Sequence, residues 1–147
     1  LTLAANSIGA FFSMSALDET HVDCAQFISP VVDMEALIRS MMQGANVTEQ
    51  MLAEKQEIPT AFGETLSWRY LTYVQAHPIA WRVPTRILYG EHDALTDFAA
   101  ISAFAERTGA ELTVMPGGEH WFHTDVQMRF LDDWIARGLR PRTGGAE

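Results

Sequence analysis

The sequence predicts an α/β fold, a three-layer sandwich in which a parallel β-sheet lies between two layers of helices. Apolar strand-like runs alternate with helical patterns along the chain, and small or polar loop residues follow each strand-like run. Strands that alternate with helices are joined by right-handed crossovers, so they run parallel. The 147 residues, of which 48% are hydrophobic, are sufficient for one core. We therefore expect a single domain over residues 1–147.

The charge and the cysteine content narrow the classes of partner. The formal net charge of -9 at pH 7 would repel nucleic-acid phosphates and anionic lipids. No apolar run reaches the length of a bilayer, so we expect neither a nucleic-acid nor a membrane partner. The single cysteine, Cys24, cannot form an internal disulfide, and its apolar surroundings predict a buried small hydrophobe. A cytoplasmic location is our prediction.

The first element is a short apolar strand over residues 1–5 that leads to Ser7, and a helix is expected over residues 8–17. Ala5 and Gly9 lie two residues before and after the serine. Small residues there allow a strand and a helix to approach closely at a sharp turn that exposes the hydroxyl. A serine between a strand and a helix is also a common N-cap, so both interpretations of Ser7 stay open.

A second strand and a helical insert follow. We predict a buried strand over residues 22–30, ended by Pro30, which cannot continue a hydrogen-bonded ladder. Residues 34–80 then interrupt the alternation of strands and helices. Apolar residues at helical spacing predict a first insert helix over 34–43 that ends at Gly44.

Two more helices are expected in the insert. Thr48 can cap one within residues 46–59, and another is expected over 64–77. The apolar face of the latter would contain Leu66, Tyr70, Tyr73, Val74 and His77. The insert is also rich in methionines and aromatics, namely Met34, Met41, Met42, Met51, Phe62, Trp68, Tyr70, Tyr73 and Trp81. These residues either pack the insert onto the core or form a cap over an apolar substrate pocket.

The alternation resumes after the insert. Strands are predicted over residues 83–89 and 111–115. Between them, Asp97 can cap a helix over 98–108 that ends with Gly109 at the C′ position.

The last helix begins near residues 124–127, which have the spacing of a capping box. It is expected to bury Val126, Phe130, Leu131, Trp134 and Ile135. A flexible tail is expected over 141–147.

Three polar residues stand in loops that directly follow three predicted strands, namely Ser7, Asp93 and His120. The carboxyl ends of parallel strands share one sheet edge, where reactive groups collect. A serine hydroxyl is a poor nucleophile at neutral pH, so a histidine must accept its proton and a carboxylate must orient that histidine. The three residues together therefore predict a nucleophile, a base and an orienting acid.

Other assignments remain open at this edge. Asp33 follows the second strand and Asp97 follows Asp93, so either could supply the carboxylate. His120 could have a structural role, and His123 is expected to lie at the entry to the last helix. The histidines and carboxylates here show no recognised metal-ligand spacing, so we expect no metal.

The loops resemble those of the α/β-hydrolase family. Its G-x-S-x-G elbow is present with alanine for the first glycine, and its acid-bearing and histidine-bearing loops have counterparts. The matching segments are Ala5-Asn6-Ser7-Ile8-Gly9, Gly90-Glu91-His92-Asp93 and Gly118-Glu119-His120. The order Ser, Asp, His is also that of the family. The resemblance extends to about residue 138 and corresponds to the last four strands of the fold, with residues 34–80 as a cap-like insert.

The resemblance implies a serine hydrolase with a Ser-His-Asp triad. The backbone N–H of Ile8 would be one oxyanion donor, and the second would come from a loop after an earlier strand that precedes Leu1 in the family. An open sheet edge at residues 1–5 would then pair with an N-terminal half or, in a dimer, with a second copy. Small or medium carboxylic esters are the expected substrates, with thioesters and amides also open. No cofactor is expected.

Two other functions fit parts of the sequence. A catalytically inactive fragment that acts as a folding or interaction module would share every residue discussed. A flavodoxin-like ligand-binding domain would explain the alternation of elements but not the ordered Ser, Asp and His, and no phosphate-binding glycine loop is visible.

Overall fold

The computed structural model describes residues 1–17 and 19–139. The strands are β1 (Thr2–Asn6), β2 (Cys24–Ile28), β3 (Glu57–Pro59), β4 (Thr65–Ser67), β5 (Thr85–Gly90) and β6 (Glu111–Met115). The helices are α1 (Ser7–Ala16), α2 (Met34–Gly44), α3 (Glu49–Lys55), α4 (Trp68–Ala76), α5 (Phe98–Thr108) and α6 (Asp125–Leu139), with a short 3-10 helix at Glu19–His21. The tail predicted over 141–147 lies outside the described residues.

The main sheet confirms the predicted parallel architecture. Within the described residues it has four strands in the order β1-β2-β5-β6, and every neighbouring pair is parallel. Asn6 pairs with Ile28, Ile28 with Leu88, and Leu88 with Thr113. This register brings the carboxyl ends of the strands to one edge of the sheet. The loops that follow β1, β5 and β6 therefore meet there.

Helices cover both faces of the sheet, as the three-layer prediction requires. Helices α1 and α5 pack on one face through Ala10, Met14, Ile101 and Phe104, which contact Ala25, Phe27, Ile87 and Tyr89 of the strands. Helix α6 packs on the other face, where Trp134 joins Leu88, Met115 and Phe122. Successive strand residues point to opposite faces, so β5 contributes Ile87 to one core and Leu88 to the other.

The insert is only partly helical, which corrects the prediction for residues 46–59. Thr48 caps α3 as predicted, because its hydroxyl accepts a hydrogen bond from Met51 N at 3.1 Å. The helix nevertheless ends at Lys55. Gln56 adopts a left-handed conformation with φ of 66°, which takes the chain out of the helix and into β3.

The prediction of a helix over residues 64–77 is wrong at its start. Strand β4 pairs antiparallel with β3 to form a hairpin, and Gly63 has φ of 93° in the turn between them. Helix α4 begins only at Trp68, after Ser67 Oγ accepts a hydrogen bond from Tyr70 N at 3.3 Å. Its buried residues are Leu71 and Val74, whereas the side chain of Tyr73 is exposed.

The insert has its own apolar core. Phe11 of α1 and Val31 connect this core to the rest of the domain. The other buried members are Met34, Ile38, Met42, Val47, Leu52, Leu66, Leu71 and Val74. Met34 and Met42 therefore pack the insert, which leaves Met51, 36% exposed, as a methionine that faces solvent.

Three further predictions are corrected. Val126 is 68% exposed, because the buried face of α6 instead contains Gln127 and Trp134. Cys24, at the start of β2, is half-buried rather than buried. Asp97 precedes α5 at the predicted position, but its side chain makes no capping hydrogen bond within the described part of the chain. Among the described helices, none is both long and apolar enough to cross a membrane.

Candidate active site

Ser7 lies at the junction between the first strand and the first helix. Strand β1 ends at Asn6 and α1 begins at Ser7, so only a sharp turn separates the two elements. The φ of Ser7 is 47°, a left-handed value that non-glycine residues rarely adopt, and this strain is typical of a nucleophile elbow. Asn6, not Ser7, occupies the N-cap position, so the N-cap interpretation of Ser7 is wrong.

Gly9 does not have the role that the sequence predicted. A Cβ atom built on Gly9 would meet no described atom within 4 Å. A close approach of strand and helix therefore does not explain the small residue at this position. The strain of the turn is concentrated at Ser7.

The loops that follow β5 and β6 are joined to each other. His92 N donates to Gly118 O at 2.7 Å, and Glu91 Oε2 accepts a hydrogen bond from Gly117 N at 2.8 Å. A Cβ atom at Gly90 would lie 2.6 Å from backbone atoms of Gly118, so only glycine allows the loops to approach this closely. The acid-bearing and histidine-bearing loops thus form one unit.

Ser7, His120 and Asp93 form a continuous chain of hydrogen bonds. Ser7 Oγ lies 3.0 Å from His120 Nε2, and His120 Nδ1 lies 2.8 Å from Asp93 Oδ2. The side chain of Asp93 has no exposed surface, and that of His120 is 18% exposed. A nucleophile within hydrogen-bond reach of a base, which is itself oriented by a third group, is the arrangement that activates a serine.

Hydrogen bonds keep the buried carboxylate charged. Burial by itself raises the pKa of Asp93, but the hydrogen bonds from His120, Thr96 and Leu95 outweigh it and lower the pKa below its ordinary value. An ionised Asp93 fixes the tautomer in which His120 Nδ1 carries the proton. Nε2 is then free to accept the proton of Ser7.

The alternative carboxylates lie elsewhere. Asp33 caps α2, where its Oδ1 accepts a hydrogen bond from Ala36 N at 2.9 Å. Asp97 accepts no hydrogen bond from a histidine within the described residues. His123 Nδ1 contacts the carbonyl oxygen of Trp121 at 2.8 Å, so His123 does not take part in the chain. Within residues 1–17 and 19–139, no three His, Cys, Asp or Glu side chains are grouped so as to hold a metal ion.

Solved structures share the fold of this chain. A protein from Agrobacterium vitis S4 that is described as a hydrolase matches 95% of this chain with a TM-score of 0.71 and 16% identity. Est1E from Butyrivibrio proteoclasticus matches 90% with a TM-score of 0.63 and 21% identity. An alpha-beta serine hydrolase homologue from Coxiella burnetii matches 95% with a TM-score of 0.56 and 21% identity.

The fold is that of the α/β-hydrolases. The chain spans 61%, 60% and 49% of the length of these three structures, so it represents part of that fold. No protein-family model matches the chain. No curated protein sequence matches it either.

In the α/β-hydrolase fold of this chain, Ile8 follows Ser7 as the second residue of α1. The first N–H groups of a helix have no partner within the helix, so the N–H of Ile8 has no intrahelical acceptor. It remains a candidate oxyanion donor. The partial positive charge at the start of α1 also favours a negative oxygen at this position.

The contacts of two polar residues near the site, Thr96 and Gln127, were not predicted from the sequence. Thr96 donates two hydrogen bonds to Asp93. The side chain of Gln127 bonds to two residues of the histidine-bearing loop, one on either side of His120. Gln127 Oε1 accepts from His123 N at 3.0 Å, and its Nε2 donates to Glu119 Oε2 at 3.1 Å. The predicted capping box is therefore half formed, with Thr124 accepting from Gln127 N at 3.2 Å while the Gln127 side chain holds the loop.

Two cavities border the site. A groove of about 370 Å³ runs between β1 and α6, with His120, Trp121 and Phe122 at one end. A smaller cleft of about 130 Å³ lies between α2 and the acid-bearing loop, where Leu95 and Thr96 face Val31 and Leu37. Val31, which lines this cleft, donates its backbone N–H to the carbonyl oxygen of Ser7 at 2.9 Å.

Proposed function

We propose that this chain carries the catalytic centre of a serine hydrolase that cleaves small or medium carboxylic esters. The observation that carries the proposal is the continuous chain from Ser7 Oγ through His120 to the buried Asp93. The left-handed φ of Ser7 is a second support, because strain of this kind clusters at functional sites.

The mechanism follows from the geometry. Ser7 Oγ attacks the acyl carbon while His120 Nε2 takes its proton, and Asp93 stabilises the resulting imidazolium. The negative charge that develops on the carbonyl oxygen is held by the N–H of Ile8. His120 then returns the proton to the leaving alcohol, which gives an acyl-enzyme. Water activated by His120 hydrolyses this intermediate and regenerates Ser7.

The smaller cleft supports a short or medium acyl group. Its volume of about 130 Å³ limits the length of an acyl chain, and Val31, Leu37 and Leu95 are the apolar side chains that such a chain would contact, beside the polar Asp33 and Asp97. Thioesters and amides use the same nucleophile, base and oxyanion site, so they are secondary substrates in this proposal.

Hydrolysis of p-nitrophenyl esters tests the proposed activity. Acetate to octanoate esters would be compared, with an expected maximum at short or medium acyl length. Ser7→Ala should reduce turnover by at least about a thousandfold, because the nucleophile is lost. Ser29→Ala is the matched control, since Ser29 also has a positive φ of 44° but is buried. Equal turnover in Ser7→Ala and the unmodified chain would contradict the proposal.

We further propose that the free edge of β1 pairs with a parallel strand from the segment expected before Leu1, and that this segment supplies the second oxyanion donor. Within the described residues β1 is an edge strand, and the groove of about 370 Å³ lies between this edge and α6. Trp121 is 66% exposed beside this groove. An exposed apolar groove next to an unpaired edge is a surface for a strand and a helix.

Co-expression with the coding sequence that precedes Leu1 in the source genome tests this pairing. We expect the amides of β1 to gain protection from hydrogen exchange. Ester turnover should rise by about a hundredfold or more, since a missing oxyanion donor costs this much. Turnover that instead rises with the concentration of the chain alone, together with dimer formation, would show that a second copy occupies the edge and would contradict the proposal.

A further inference from the structure

The carboxylate of Asp93 is saturated with hydrogen-bond donors. Leu95 N and Thr96 N donate to Oδ1 at 2.8 and 2.9 Å. Thr96 Oγ1 donates to Oδ2 at 2.9 Å, and His120 Nδ1 lies 2.8 Å from the same oxygen. A carboxylate has about four lone-pair sites, and each of them has a donor here.

The two oxygens of Asp93 therefore have different tasks. The backbone N–H groups of Leu95 and Thr96 fix the position of Oδ1, so the carboxylate keeps its orientation without the threonine hydroxyl. The hydroxyl of Thr96 shares Oδ2 with His120. A second donor on the same oxygen draws electron density away from the bond to His120, and this competition is strong where no water reaches the carboxylate.

The threonine is itself held in place. Tyr89 donates its hydroxyl proton to Thr96 O at 2.8 Å. Burial raises the pKa of Tyr89, and the nearby charges of Asp93 and Asp97 raise it further, so the phenol remains a donor. The backbone of Thr96 is thus anchored on β5, and its side chain has a fixed direction toward Asp93.

We propose that Thr96 is a positioning residue that acts through Asp93 and limits the strength of the Asp93–His120 hydrogen bond. This inference rests on the proposed serine hydrolase function. A histidine base must return its proton to the leaving group, and a carboxylate that held the imidazolium too firmly would slow this return. The Thr96 hydroxyl moderates that hold and leaves the carboxylate in place.

The test is the NMR signal of the His120 Nδ1 proton in the whole chain, assigned by its loss in His120→Gln. Thr96→Val removes the hydroxyl but keeps the backbone N–H, so the signal should move downfield as the bond to Asp93 strengthens. Thr96→Ser keeps the hydroxyl and should restore the signal of the unmodified chain. Thr108→Val is the matched control, because it removes a threonine hydroxyl that bonds to Phe104 O and not to Asp93.

An unchanged signal in Thr96→Val, or an equal shift in Thr96→Ser, would overturn the inference. Thr96→Ala decides the question if the valine variant does not fold. The signal reports on Asp93 and His120 whether or not Ser7 reacts. The expected response of the signal together with an unreactive Ser7 would therefore overturn the proposed function but not the effect of Thr96 on the Asp93–His120 hydrogen bond.

Discussion

The side chain of Asp93 has no exposed surface, yet its carboxylate is negatively charged. The hydrogen bonds that it accepts make this charge favourable. Because its pKa is lowered in the folded chain, ionised Asp93 contributes stability that is complete above its ordinary value of about 4. That contribution is lost as the pH falls through the lowered value. Asp93→Asn should reduce the free energy of unfolding by about 1–3 kcal/mol at pH 7. Urea unfolding at several pH values measures this.

The pH dependence distinguishes this explanation from a general loss of packing. The difference between Asp93→Asn and the unmodified chain should shrink as the pH is lowered from 5 toward about 2, because both then have a neutral side chain at position 93. Asp97→Asn is the matched control, since Asp97 makes no capping hydrogen bond in the described part of the structure. A difference that stays constant over this pH range would contradict the explanation.

The residues of the candidate site differ in how far the sequence could predict them. Ser7, Asp93 and His120 could be located because each follows a predicted strand, and a parallel sheet brings such loops together. The role of Thr96 could not be predicted, because a threonine three residues after an aspartate occurs in many structural contexts. Its role depends on the direction of one hydroxyl, which the pattern of residue types does not contain.

At the level of elements, the contact between the acid-bearing and histidine-bearing loops depends on Gly90. A methyl group there would lie 2.6 Å from the backbone of Gly118 and Glu119, which cannot move aside cheaply. Gly90→Ala should destabilise the chain by about 1–3 kcal/mol, the usual cost of overpacking. It should also weaken the contact of His120 with Ser7. Thermal unfolding and ester turnover measure the two effects.

Gly9→Ala is the matched control for Gly90→Ala. Position 9 lies inside α1, and its added methyl group would meet no described atom within 4 Å. Alanine is the better helix former, so this variant should gain about 0.5–1 kcal/mol of stability. Equal effects of the two substitutions would show that the close approach of the loops is not what requires Gly90.

Gln127 connects helix α6 to the loop that bears His120. Gln127 is 5% exposed, and its side chain bonds to both Glu119 and His123, on either side of His120. Gln127→Leu would remove both hydrogen bonds and allow the histidine to shift, so kcat should fall by about ten- to a hundredfold with a smaller change in KM. Steady-state kinetics on a p-nitrophenyl ester measures this.

Gln50→Leu is the control for Gln127→Leu, because Gln50 pairs with Glu54 on an exposed helix surface. It should leave kcat unchanged. If the two substitutions had the same effect on kcat, Gln127 would have no special role in holding the loop.

The elements themselves were predicted unevenly. Helix α5, with its bounds at Phe98 and Thr108 and Gly109 in the left-handed conformation, was predicted correctly, because a strong local signal ends the helix. The hairpin of β3 and β4 was missed. Each of its strands has three residues, too few to show an alternating pattern, and the turn at Gly63 is the signal that could have indicated it.

For the whole molecule, a parallel sheet brings residues that are 113 positions apart, Ser7 and His120, within 3.0 Å. The distribution of helices on both faces could be predicted from the alternation of elements. The strand that pairs with the free edge of β1 could not be predicted, because the sequence of a strand does not identify its neighbour in the sheet. Ser7, His120 and Asp93 are thus brought into one chain of hydrogen bonds by this part of the fold alone.

Intact-mass spectrometry of the whole chain after treatment with a fluorophosphonate shows whether this hydrogen-bonded chain activates Ser7. The reagent modifies a serine only when a base activates it. We expect one adduct per chain, which is absent in Ser7→Ala and retained in Ser29→Ala. A chain that forms no adduct, or that forms the same adduct in Ser7→Ala, would contradict the assembled site.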